Sequence, residues 1–246
     1  MAPVWLKAQP FAHRGLHDRS ARCVENTLPA VEAAIAEGYG IEVDLQLSAD
    51  DEVVVFHDMA LERLSFGRGP LRAHRFEELK ALELRDTDAH IPTLADLLDL
   101  VGGRAPLLLE LKSENLPLGH LEARVARQLA RYDGEVAVMA FKPSSMAWFA
   151  KHEPQITRGQ LSRAYREESA TFKAWAMRFL RRNLLVSFES QPHFIGYEVT
   201  ALPGAFAVAV LRAAGMPILT WTVRDEEDLL LASKYADNII FENLRP

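Results

Sequence analysis

The stretch Gly40-Ile41-Glu42-Val43-Asp44-Leu45-Gln46-Leu47 decides how the chain is read. Apolar Ile41, Val43, Leu45 and Leu47 alternate with polar Glu42, Asp44 and Gln46, the period-two pattern of a β-strand. Side chains two residues apart leave a strand on one face, so Glu42 and Asp44 point the same way. Two such carboxylates resist joint ionisation unless a cation lies between them or one keeps its proton. After a polar turn, Val53-Val54-Val55-Phe56 runs into His57-Asp58 and brings an imidazole to the end of a second strand-like segment. Two readings stand open on these residues. One is the solvated face of an antiparallel sheet; the other is a buried acidic site, where charge must be paired or bound to metal.

Working outward, strand-like runs alternate with helix-like ones along the chain. Phe11-Ala12 ends a short strand that delivers His13-Arg14-Gly15. Asn26 or Thr27 caps a helix with Pro29 in its first turn, running to Glu37 and closed by Gly38. Residues 59–91 read as irregular, with one short helix near Phe76 to Leu84, and Pro92-Thr93-Leu94 opens the next helix. Strands are predicted at Leu107–Lys112, Val136–Phe141, Ile156–Leu161, Leu184–Phe188, Pro217–Val223 and Asn238–Phe241. Between them lie helices at Leu118–Arg131, Ser144–Ala150, Thr171–Arg182, Gly204–Ala214 and Asp225–Lys234.

Leaving the His57 segment aside, that makes eight strands with helices between most of them, and such alternation implies a parallel sheet. At 246 residues an α/β fold of the TIM-type (β/α)8 class is the natural closure, with a doubly wound open sheet as the alternative. The expected organisation is a single domain over residues 1–246 with a small insertion at about 59–91. His13, Arg14, Glu110, Lys112 and Glu242 fall at or near strand C-terminal ends, where a barrel gathers its active site.

Composition narrows the function. A formal net charge of −6 offers no electrostatic case for nucleic acid or for an anionic membrane surface. Cys23 is the single cysteine, which rules out an internal disulfide and a thiolate metal cluster. No run is long and apolar enough for an integral membrane segment, and the N-terminus lacks the apolar core of a secretory signal, so a cytoplasmic protein is expected.

His13-Arg14-Gly15, Glu25-Asn26-Thr27, Glu42-x-Asp44, His57-Asp58, Ile91-Pro92-Thr93-Leu94, Glu110-Leu111-Lys112 and Trp221-Thr222-Val223 occur in the order and rough spacing of the glycerophosphodiester phosphodiesterases. The chain resembles that family over essentially its whole length. The resemblance implies a TIM-type barrel with its insertion after the His-Asp segment. It also implies one divalent cation on Glu42, Asp44 and Glu110, and His13 and His57 as the acid–base pair. Three carboxylates without thiolates suit Mg²⁺ or Ca²⁺, and a histidine's ordinary pKa of about 6.5 suits proton transfer near neutrality in either role. Arg14 and Lys112 are then the groups that hold a phosphodiester, and Trp221 either walls the pocket or faces a choline-type cation. Glu25 is placed to orient Arg14, Asp58 to support a histidine or a metal ligand or simply to make a turn, and Asn26 and Thr27 to cap a helix.

The implied substrate is a small-molecule phosphodiester, cleaved to glycerol 3-phosphate and an alcohol; a lysophospholipid substrate or a non-catalytic phosphodiester-binding barrel are the alternatives. The sequence departs from the family at Ala140, where serine is common, and at Glu242-Asn243, where Thr-Asp is usual; both bear on substrate choice rather than on chemistry. The basic and aromatic stretch Phe172–Arg182 reads as an outer barrel helix or as one lying on a membrane surface.

Overall fold

A computed structural model describes residues 2–166 and 171–246. The chain has the expected TIM-type (β/α)8 barrel fold, eight parallel strands alternating with helices, plus one extra antiparallel strand. It divides into two compact units, Phe11–Val136 and Ala137–Pro246 with the first ten residues.

In the first unit, β1 (Phe11–His13) and β4 (Leu107–Leu111) flank β2 (Gly40–Leu47) in parallel. The extra strand β3 (Val53–Val55) folds back antiparallel on the end of β2, pairing Leu45 with Val55. Every residue of β2 is buried, including Glu42, Asp44 and Gln46, so the solvated-sheet reading of its polar face falls. Helix α1 (Leu28–Ala36) starts at Thr27 with proline in its first turn. The Thr27 hydroxyl does not cap it; it donates instead to the Val24 carbonyl at 2.6 Å.

The 59–91 insertion carries one short helix, α2 (Phe76–Lys80), and builds a small core of its own. Leu61, Leu64, Leu71, Leu79 and Leu84 pack there with Val54 and Phe56, so the segment that ends in His57 is anchored by apolar contact as well as by strand pairing. Helix α3 (Leu94–Val101) has a reciprocal cap between Thr93 and Asp96 and ends on left-handed Gly102. Helix α4 (His120–Leu129) follows β4.

The second unit begins one residue into β5 (Val136–Ala140) and continues with α5 (Pro143–His152), β6 (Thr157–Ser162), α6 (Phe172–Arg182), β7 (Phe194–Glu198), α7 (Phe206–Ala213), β8 (Ile218–Val223), α8 (Glu226–Tyr235) and β9 (Asn238–Phe241). Here one predicted strand moves. Leu184–Phe188 is not a strand: Leu184 adopts a left-handed φ of 59° and Leu185 N–H donates back to the Leu180 carbonyl at 2.8 Å, so the run closes α6. The strand between β6 and β8 is Phe194–Glu198, about ten residues later, and it pairs in parallel with both. A Cβ on its Gly196 would lie 2.4 Å from Leu161 Cδ2, so any side chain there would have to displace that leucine. Among the described residues no helix is long and apolar enough to cross a membrane.

Candidate active site

Register builds the acidic cluster. Parallel pairing sets Asp44 beside Glu110 and His13 beside Glu42, lateral neighbours on strands about 4.8 Å apart. One oxygen each from Glu42, Asp44 and Glu110 lies within 4.8 Å of the others, and all three residues are buried. His13 Nε2 is 3.9 Å from Glu42 Oε2. Lys112 follows β4, fixed by its amide to the Leu45 carbonyl at 3.0 Å. Its ammonium reaches Glu110 Oε1 at 2.5 Å and Asp44 Oδ1 at 2.9 Å.

The turn after β1 places Arg14. Arg14 and Gly15 both have positive φ, and a Cβ on Gly15 would lie 2.8 Å from the Ala30 backbone, so only glycine lets the turn sit on α1. The Arg14 amide donates to Glu42 Oε2 at 3.0 Å, and its guanidinium lies 3.3 Å from Asp44 Oδ2.

Glu25 does orient Arg14, accepting from its Nη1 at 2.5 Å. Glu25 also accepts from Arg63 at 2.8 and 2.9 Å, a residue of the insertion that sequence reading missed. Arg63 donates in turn to both oxygens of Asp58 at 2.5 and 2.9 Å, and Asp58 holds His57 Nδ1 at 2.7 Å. Asp58 is therefore the partner of a histidine, held through Nδ1 rather than Nε2. Gln46 fixes the same segment by donating to the carbonyls of Phe56 and Asp58, each at 2.8 Å.

Asn26 is the second missed residue. Rather than capping α1, it adopts φ 58° and turns its amide onto Asp44, donating to Oδ2 at 2.9 Å and accepting from the Asp44 backbone N–H at 3.2 Å. The one hint in the sequence was residue type: asparagine is among the few side chains that tolerate this backbone region.

Electrostatics separates the carboxylates. Burial, reinforced by Asp44 and Glu110, pushes the Glu42 carboxyl well above its usual range. Burial likewise raises Glu110, to about 7, with Asp44 adding to it and Lys112 opposing. Burial also acts on Asp44, but there Lys112, Arg14, His57 and the Asn26 hydrogen bond outweigh it and the carboxyl falls below its usual range. Two cations thus face three buried carboxylates, and the Glu42 and Glu110 carboxyls are held towards their protonated forms. A divalent cation bound to all three would relieve that imbalance. The donor set fits such an ion: hard oxygens only, convergent, and already desolvated.

His13, Arg14, Glu42, Asp44, His57, Glu110 and Lys112 all belong to the first unit. Trp221 belongs to the second, where it meets Phe141 edge-on at 5.4 Å. It lines a cavity of about 380 Å³ there with Arg163, Tyr165, Arg166, Glu198 and Arg224.

Comparison with known proteins agrees with this geometry. Residues 13–243 match the model of the glycerophosphoryl diester phosphodiesterase family. A glycerophosphodiester phosphodiesterase of Caldanaerobacter subterraneus is 26% identical over 234 residues, covering 91% of this chain and 89% of that protein. One from Bacillus altitudinis is 34% identical over 157 residues, or 59% of this chain and 63% of its own. Among solved structures, an Oleispira antarctica phosphodiesterase in complex with the product sn-glycerol-3-phosphate superposes with a TM-score of 0.75 at 25% identity, covering 96% of this chain and 93% of that one.

Proposed function

The chain belongs to the glycerophosphoryl diester phosphodiesterase family, and from that premise we propose that it hydrolyses glycerophosphodiesters to sn-glycerol 3-phosphate and an alcohol by metal-assisted acid–base catalysis, as one catalytic domain. The observation that carries this reading is the buried trio Glu42, Asp44 and Glu110, with His13 beside it and an oriented His57 acting electrostatically on Asp44.

In this reading Glu42, Asp44 and Glu110 hold one Mg²⁺ or Ca²⁺ ion, which when bound supplies Lewis-acid polarisation of a phosphate oxygen. Arg14 and Lys112 bind the remaining phosphoryl charge. One imidazole takes the proton of the attacking hydroxyl as its oxygen bonds to phosphorus. The other gives a proton to the head-group oxygen as that P–O bond breaks, and water then opens the cyclic phosphate left by attack of the neighbouring glycerol hydroxyl to give glycerol 3-phosphate. His57, held through Nδ1 by Asp58, works from Nε2. Trp221 contributes to substrate binding as part of the wall of the cavity it lines. The Oleispira antarctica phosphodiesterase, solved in complex with the product sn-glycerol-3-phosphate, supports glycerol 3-phosphate as the product here.

Release of glycerol 3-phosphate from glycerophosphocholine or glycerophosphoethanolamine tests the reading directly. Release should stop with EDTA and return with Mg²⁺ or Ca²⁺. No release from either diester under any cation would overturn it.

A further inference from the structure

Helix α6 differs from every other long helix of the barrel in burying none of its residues. Phe172, Trp175 and Phe179 are 81%, 54% and 51% exposed. They fall at i, i+3 and i+7, one stripe of the helix, and their rings stack in sequence at 5.6 and 5.9 Å. In water such a ladder leaves large apolar area uncovered, and exposed contiguous apolar surface marks an interaction site. Beyond α6 the same segment continues with Leu185 and Phe188, 60% and 90% exposed.

Charge identifies the occupant. Lys173, Arg178, Arg181 and Arg182 lie in α6, and it contains no acidic residue, although the chain as a whole has a net charge of −6. Lys173 and Arg182 are exposed and flank the aromatic stripe, one on either side of it. A second copy of this chain would bring net negative charge but also a matching cationic helix to a symmetric contact. An anionic lipid surface offers both complements at once, acyl chains for the rings and head-group phosphates for the cations. From these observations we propose that α6 docks the protein on anionic phospholipid surfaces, with the aromatic stripe entering the interface and the flanking cations on the head groups. The net charge argues against such contact for the molecule as a whole; one helix reverses it locally. This docking does not depend on the reading of the active site.

The test is co-sedimentation of the full chain with vesicles of phosphatidylcholine alone and of equal parts phosphatidylcholine and phosphatidylglycerol. Binding to the anionic vesicles only, released by salt, is expected. The variants K173E/R182E and W175A/F179A should each weaken that binding about tenfold or more. Both should keep the wild-type thermal melt and wild-type hydrolysis of soluble diesters, so a failure of the catalytic reading remains separate from a failure of docking. Absence of binding, equal binding to both vesicle types, or variants that bind like wild type would overturn the proposal. So would a wild-type dimer that W175A/F179A converts to monomer.

Discussion

Glu42, Asp44 and Glu110 are placed by strand register, whereas the chain of contacts Arg14–Glu25–Arg63–Asp58–His57 is assembled from loops and the insertion. The first group comes from two neighbouring parallel strands whose pairing leaves little freedom in where the carboxylates point. The second is drawn together across as many as 38 residues of sequence by Arg63, whose planar guanidinium serves two carboxylates at once. The two groups also differ in electrostatic balance. The strand-borne cluster holds more negative charge than its cations offset, while the relay alternates sign from Arg14 to Asp58. One group is poised to take up a cation; the other is already satisfied and serves to aim.

Substitution of Glu42 by Gln should break the first half of this contrast most severely. It keeps the shape but removes one of three charges, so cation affinity drops and turnover falls by at least ~10³-fold. The metal-free protein should meanwhile melt a few degrees higher, because a buried carboxyl crowded by Asp44 and Glu110 is gone. Calorimetric metal titration and melting in EDTA read the two effects separately. Wild-type turnover in this variant would remove Glu42 from the ligand set.

A smaller loss is expected from Arg63→Ala. Asp58 loses its clamp and His57 its fixed orientation, which should lower kcat by ~10- to 100-fold with KM little changed. Stability should fall by no more than ~1 kcal/mol, since the Arg63 side chain is 42% exposed and solvent screens its ion pairs. Arg63→Lys should recover only part of kcat, because a point charge cannot bridge Glu25 and Asp58 in two pairs. A raised KM with unchanged kcat would mean that Arg63 meets the substrate instead.

This contrast also explains what could be read from the sequence. The barrel followed from alternation, and the Glu42–Asp44 pair from two polar residues on one face of a strand, while Glu110 joined them only through the family resemblance. Both signals are local and periodic. The misplaced strand at Leu184–Phe188 shows the limit, because a five-residue apolar run that closes a helix has the same composition as a buried strand. Asn26 was read as a cap since capping is a local role, while its contact with Asp44 spans 18 residues. Arg63 carried no signal at all: a single arginine in an irregular segment acquires its role only when the insertion folds onto its own leucine core.

The two regions should also titrate in opposite directions. Glu25 is partly desolvated, which alone would raise it, but Arg63 and Arg14 outweigh burial and hold it at about 2. Asp58 is lowered in the same way by Arg63 and His57. For these groups the unfolded chain binds more protons than the folded one between about pH 2 and about 4.5, so their contribution to stability grows as pH rises through that window. For Glu110, raised to about 7, and for Glu42, also raised by burial and its neighbours, the folded chain binds more protons, and stability falls as pH rises from about 4.5 towards neutrality. The metal-free enzyme should therefore melt highest in mildly acidic solution and lose a few degrees on the way to neutrality. A saturating divalent cation, which competes with protons for the same carboxylates, should cancel the loss above pH 4.5 and leave the acid limb unchanged. Glu42→Gln should flatten the neutral limb, and Arg63→Ala the acid limb. A cation that altered both limbs equally would mean the relay and the cluster titrate as one site.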